Sequence, residues 1–167
     1  MRAVRAVAAA LCALAAAIAA APPATAQRAV CEDVPGAERV LGELAALINR
    51  ERAAQGLREL GVNARVARAA RNHGCDMVER DYFSHTGRDG SSVTTRLEAT
   101  GFTPCFSAEN LAYGQSNPGQ AVSSWMGSQS HRDNILHRRA RILGAAAVRP
   151  AGQSGPVRWV AVFATPC

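Results

Sequence analysis

The first 26 residues of the chain limit everything that follows them. Arg2 and Arg5 precede an almost unbroken apolar run from Ala6 to Ala21, and a small-residue stretch closes at Ala24-Thr25-Ala26. A charged head, an apolar middle and an A-x-A end make a cleavable export signal. A membrane-spanning helix needs about 20 apolar residues with suitable flanks, whereas this run is shorter, alanine-rich and broken by Pro22-Pro23. Cleavage is expected after Ala26, which removes Cys12 and leaves no transmembrane segment. The mature protein is then expected to be secreted or periplasmic, where thiols oxidise.

Residues 27–167 have the length of one domain, expected to be monomeric and able to bury about two thirds of its unfolded surface. A short N-terminal segment, 27–36, precedes the folded part, 37–167. Four cysteines remain, Cys31, Cys75, Cys105 and Cys167, and no pair has C-x-x-C spacing. Scattered and even in number, they read as two disulfides rather than a zinc site, with three pairings open on sequence alone. The basic residues are 19 arginines with no lysine. Apart from Arg138, Arg139 and Arg141 they are spread along the chain with few aromatics between them, so no nucleic-acid partner is expected. A weak attraction to anionic envelope polymer is compatible with this charge.

Val40, Leu41, Leu44, Leu47 and Ile48 recur with helical period and predict a helix over 37–54, ending near Gly56. Asn63 is a good N-cap for a second helix, with Val66, Ala69, Ala70, His73 and Met77 on one face and Cys75 on the other. His73 reads there as a core histidine, and His137, among arginines, as a surface one. Asp89-Gly90-Ser91-Ser92 starts a short helix through Arg96 and Leu97, and Asn117-Pro118 starts another that carries Trp125. Ser130 to Asp133 fits a capping box, which puts His131 in a first helical turn, where the helix dipole favours the neutral ring. Residues 142–148 and 157–163 read as an antiparallel hairpin, with a third strand at 108–113. The fold class is α+β, with helices packed around a small antiparallel sheet.

No G-x-S-x-G, H-E-x-x-H, P-loop or G-x-G-x-x-G motif is present. Ser84 and Ser130 adjoin histidines, but neighbours in sequence seldom face each other, so a serine nucleophile is not expected. What stands out is an ordered series: Leu47-Ile48-Asn49-x-x-Arg52, Ala70-x-x-His73-x-x-Asp76-Met77, Tyr82-Phe83-Ser84-His85-Thr86 and Asp89-Gly90-Ser91-Ser92. It continues with Ala108-Glu109-Asn110-Leu111 and Trp125-Met126-x-Ser128-x-x-His131-Arg132-x-Asn134-Ile135-Leu136. In these motifs the chain resembles the CAP superfamily of cysteine-rich secretory, antigen 5 and pathogenesis-related proteins, in its bacterial SCP-like form.

That resemblance implies an α-β-α sandwich with a three-stranded antiparallel sheet over residues 37–167. It also implies a cleft lined by His85, Glu109 and His131, with Ser128, Asn110 and Asn134 beside them. Those two histidines and one carboxylate could hold zinc or another divalent cation, with Ser128 standing where the family has a second acid. Without a metal, the same residues would form a hydrogen-bonded network. The family fold would bring Cys75 and Cys105 together as one disulfide, and Cys31 and Cys167, which bracket the domain, are expected to form the other. The expected function is a binding module for a lipid or amphipathic small molecule, its grooves lined in part by Tyr82, Phe83, Tyr113 and Trp125. Two alternatives are a zinc-dependent hydrolase acting on envelope peptide or polymer, and an extracellular protein-interaction domain without a small ligand.

Overall fold

In the computed structural model, residues 30–152 and 154–167 are described; the expected signal peptide, 1–26, lies outside them. Helices α1 (Ala37–Ala54), α2 (Ala64–Glu79), α3 (Val93–Ala99), α4 (Pro118–Gly127) and α5 (Gln129–Ile135) form where the apolar periodicity and caps place them. Asn63 Oδ1 accepts from the N–H groups of Arg65 and Val66. Ser92 and Thr95 form a reciprocal capping box at α3, and Asn117 accepts from Gln120 N–H at α4. Gly56, at φ 64°, turns the chain out of α1 in a conformation that suits glycine.

One expected cap is corrected. Ser130 is exposed within the first turn of α5, and the N-cap is Ser128, whose side chain makes no capping bond. Helix α4 runs to Gly127, so Ser128 ends one helix and starts the next, leaving no linker for Ser130 to cap.

Strands β3 (Pro104–Tyr113), β4 (Ile142–Pro150) and β5 (Arg158–Pro166) form the antiparallel sheet that the sequence predicts. Two short additions were not legible. Strand β1 (Cys31–Asp33) pairs antiparallel with the end of β4, and the two-residue β2 (Gly61–Val62) pairs parallel with its start. The order is β1-β4-β5-β3, so β3 is an outer strand. Alternation along β5 divides the core: Trp159, Ala161 and Phe163 pack with Leu44, Ile48, Trp125 and Ile135, while Val160 and Val162 pack with Val66, Met77 and Leu97. Helices α1, α4 and α5 therefore cover one face, and α2 and α3 the other. Trp125 is fully buried and donates its Nε1–H to Leu111 O at 3.0 Å, so it is core and lines no groove. Among the described residues no helix is long and apolar enough to cross a membrane.

The disulfide pairing is also corrected: the bonds are Cys31–Cys75 and Cys105–Cys167. Strand β1 is the reason for the first, because its register sets Cys31 opposite Pro150, beside α2, and both cysteines pack partly buried against the core under that helix rather than Cys75 lying on its polar face. The second follows from β3 starting at Pro104, opposite Pro166 on β5, with Cα atoms of the two cysteines 4.7 Å apart. Closing loops of 44 and 62 residues would stabilise by about 4 kcal/mol each on chain entropy.

Helix α2 lies directly on the sheet because two glycines let it. A Cβ at Gly74 would come within 2.7 Å of Val148 Cγ2, and one at Gly144 would overlap the backbone of Val66 and Ala67. Backbone cannot swing aside as a side-chain tip can, so Gly144→Ala is expected to cost roughly 1–3 kcal/mol or more. Urea denaturation of the disulfide-intact protein would show this, and an unchanged midpoint would contradict the contact.

Candidate functional site

The candidate cleft is built on β3, where alternation sends neighbouring side chains to opposite faces. Glu109 turns toward α2 and α3, and Asn110 toward α5. Asn110, fully buried, donates Nδ2–H to His131 O at 2.9 Å and accepts from Asn134 Nδ2 at the same distance. Asn134 also reaches Glu109 O at 3.3 Å, covering a carbonyl on the free edge of β3. These two asparagines thus fix the start of α5, and His131 with it.

Glu109 has a side chain only 2 % exposed. Its Oε1 accepts from His85 Nδ1 at 2.9 Å and its Oε2 from Arg96 Nη2 at 2.8 Å. Arg96 also donates from Nη1 to Ser91 O and His85 O, at 2.9 and 3.1 Å, so one guanidinium joins α3, the loop over 85–91 and the carboxylate. Below them lies His73, 3.8 Å from Glu109 Oε1. Its Nε2 is 2.9 Å from Ser84 O, and a carbonyl only accepts, so the proton sits on Nε2. Nδ1 is then a buried acceptor with no partner among the described residues. His73 is in the core as expected, but it also underlies the cleft.

A cavity of about 310 Å³ is lined by His85, Glu109, Thr86, Ser92 and Val93. The imidazole of His85 is 58 % exposed at its mouth. His131, half-buried on α5, is not among the residues that line this cavity, yet lies close enough for His85 to act on its charge. Its pKa is lowered first by burial and then by His85. Ser128, half-buried, lies with its Oγ 3.4 Å from Ser130 Oγ. Ser84 Oγ accepts from Thr86 N–H at 3.1 Å, and among the described residues neither the Ser84 nor the Ser130 hydroxyl bonds a histidine ring.

The donor set does not fit a divalent cation. Both oxygens of Glu109 are taken, one by a fixed positive charge, and Ser128 supplies no second carboxylate. Among the described residues no group of three or more His, Cys, Asp or Glu side chains is placed to hold a metal ion. His85, Glu109 and Arg96 form a charge network instead, and its central cation, Arg96, was missed by sequence reasoning. Its one sequence signal was its place four residues after the capping Ser92, on the side of α3 that meets β3. Of the expected groove aromatics, Tyr82 is half-buried and bonds Asp76 through its hydroxyl, which is pushed up to about 12 chiefly by burial. Phe83 and Tyr113 are exposed and pair at 5.6 Å. His137, expected at the surface, is half-buried and stacks on Phe106 at 4.1 Å.

Burial holds His73 and His131 below their ordinary pKa of 6.5. Unfolding restores that value, so the unfolded chain binds protons that the folded chain refuses. Their contribution is complete above about pH 6.5 and declines as pH falls below it. Denaturation midpoints are expected to drop between about pH 7 and pH 5, and His73→Gln, which keeps a donor for Ser84 O, should flatten the slope. A midpoint constant over that range in the parent would contradict the assignment.

Comparison with known proteins follows the same outline. The uncharacterized protein YkwD of Bacillus subtilis is 32 % identical over 117 residues, which is 70 % of this chain and 44 % of YkwD, so the chain spans less than half of that relative. An extracellular protein containing an SCP domain from Bacillus anthracis superposes with a TM-score of 0.69 at 23 % identity, over 77 % of this chain and 41 % of that one. An outer surface protein from Borrelia burgdorferi superposes with a TM-score of 0.72 at 17 % identity, over 81 % of this chain and 98 % of that one. These two likenesses show the fold. The cysteine-rich secretory protein family, CAP, matches residues 45–163, and the chain belongs to that family.

Proposed function

We propose that the protein is an exported binding module that holds an amphipathic ligand, a single hydrocarbon chain with a polar head, in the groove between α1 and α2. The observation that supports this is the groove itself. Two adjoining cavities, of about 290 and 510 Å³, share Leu41, Ala67 and Ala145 as walls. Both sizes are near or within the range of small-molecule sites. The small side chains of Ala67 and Ala145 leave an apolar channel over the edge of β4, and each methylene buried there contributes about 0.8 kcal/mol.

The polar end of the channel is supplied by Arg68 and Arg71, which line the larger cavity with Asp33. Arg71 is tied to Asp33 at 2.9 Å and Arg68 to Thr100 O at 2.8 Å, both near the surface, where a headgroup can compete for them. Two disulfides fit an oxidising compartment outside the cytoplasm. In this reading the His85–Glu109–Arg96 network organises the loops of the domain and does not receive the ligand.

Displacement of fluorescently labelled palmitate from disulfide-intact protein tests this. Ala67→Phe fills the wall common to both cavities and is expected to weaken binding by about tenfold or more, with the denaturation midpoint nearly unchanged. Glu109→Gln should leave affinity as it was. Equal affinity in Ala67→Phe and the parent would place the ligand elsewhere.

A further inference from the structure

Arg158 opens β5, in register with Tyr113 on one side and Val148 on the other. Its side chain is 5 % exposed, yet Nε and Nη1 have no hydrogen-bond partner among the described residues. The third nitrogen, Nη2, is 3.7 Å from Asp81 Oδ1, beyond hydrogen-bond reach, and the Asp81 side chain is fully exposed. What the guanidinium does have is a ring: Tyr113 lies with its centroid 5.2 Å away and leans in turn on Phe83. A cation on an aromatic face gains about 0.5–2 kcal/mol, whereas an unpaired buried charge costs several. The local contacts leave this arginine under-compensated. No role in the network around Glu109 or in the α1–α2 groove accounts for it.

We propose that Arg158 is the anchor of a separate anion subsite, which binds the carboxylate of a small ligand whose apolar body lies on Phe83 and Tyr113. The guanidinium fork matches a carboxylate in its own plane and can bind it bidentately. The two rings beside it are the exposed large aromatics of the described chain, each 48 % accessible. They offer apolar surface where the body of a carboxylic acid would emerge from the fork.

Access runs through Tyr113. Its hydroxyl makes no hydrogen bond among the described residues, and ring contacts alone hold it over Arg158. An exposed side chain of this kind changes rotamer in picoseconds to nanoseconds, so the lid opens without backbone movement. Asp81 stands on the other side of the fork, at φ 47°, where the chain turns back from α2 toward Phe83. Its charge opposes an incoming carboxylate and makes the site selective for ligands that outcompete it.

The test is NMR titration of the full disulfide-intact mature chain with 3-phenylpropionate, following the Arg158 Nε–Hε resonance, beside its uncharged analogue 3-phenylpropionamide. The carboxylate is expected to shift that resonance and the Phe83 and Tyr113 ring signals, and the amide to leave the Arg158 resonance in place. Arg158→Met should abolish binding while leaving the melting temperature equal or higher, because it removes a buried charge that its neighbours compensate only in part. Asp81→Asn, which tolerates the same left-handed backbone, should tighten binding by about threefold or more. A melting temperature that falls sharply in Arg158→Met would show a structural arginine with partners and overturn the proposal. So would full binding in that variant, or ring shifts with no change at Nε–Hε.

Discussion

Glu109 places a carboxylate inside the fold, at the middle of an outer strand, and the arrangement of the cleft follows from how that charge is met. Taking a carboxylate out of water costs several kcal/mol unless cations and hydrogen-bond donors are fixed around it. Arg96 and His85 occupy its two oxygens. To do so, α3 must sit against β3, and Ser92 and Thr95 cap that helix at the required place. The segment from Ser84 to Ser91 must also pass over α2, where His73 and Arg96 hold its carbonyls. One buried charge thereby sets a helix, a loop and a histidine tautomer.

The sheet separates this network from the other surfaces that the domain offers. Glu109 and Asn110 are adjacent in sequence but serve opposite faces, one closing the charge network and the other clamping α5. Helix α2 bridges the regions: its inner face packs on β4 through glycines, Cys75 ties it to β1, its outer side carries Arg68 and Arg71, and its C-terminal end turns at Asp81 toward Phe83. Small residues recur where backbones approach, at Gly74 and Gly144, and along the cavities beside Ala67 and Ala145. A chain rich in alanine gains close packing this way and leaves channels where the packing stops.

Much of the fold could be read from local chemistry. The helices have apolar periods and side-chain caps within a few residues, and β4 and β5 have long apolar runs, so each is determined by its own segment. The misses depended on distant partners. Strand β1 has three residues and exists only through pairing with β4, and without it Cys31 had no visible reason to meet Cys75. Arg96 and Arg158 stood out in the sequence only as members of a short helix and a strand, because burial of a charge is a property of the surroundings. Arg52 is similar: it sits in a recognised motif, yet only the fold shows it fully buried and donating to the carbonyls of Arg58, Ile135, His137 and Ala140. His85, Glu109, Asn110 and Asn134 were legible as a group through family motifs, but their connection through Arg96 was not.

The claim on which the rest depends is that the charge of Glu109 is neutralised from within, by Arg96. A double-mutant cycle with Arg96→Met, Glu109→Gln and the pair, read by urea denaturation of disulfide-intact protein, measures that directly. Removing only Arg96 leaves a buried carboxylate without its cation and is expected to cost about 3–5 kcal/mol. Much of that loss should be recovered when Glu109 is also made neutral, giving a coupling of roughly 2 kcal/mol or more. Losses that simply add, with coupling within about 0.5 kcal/mol of zero, would contradict internal neutralisation and show that Glu109 is compensated by something other than Arg96.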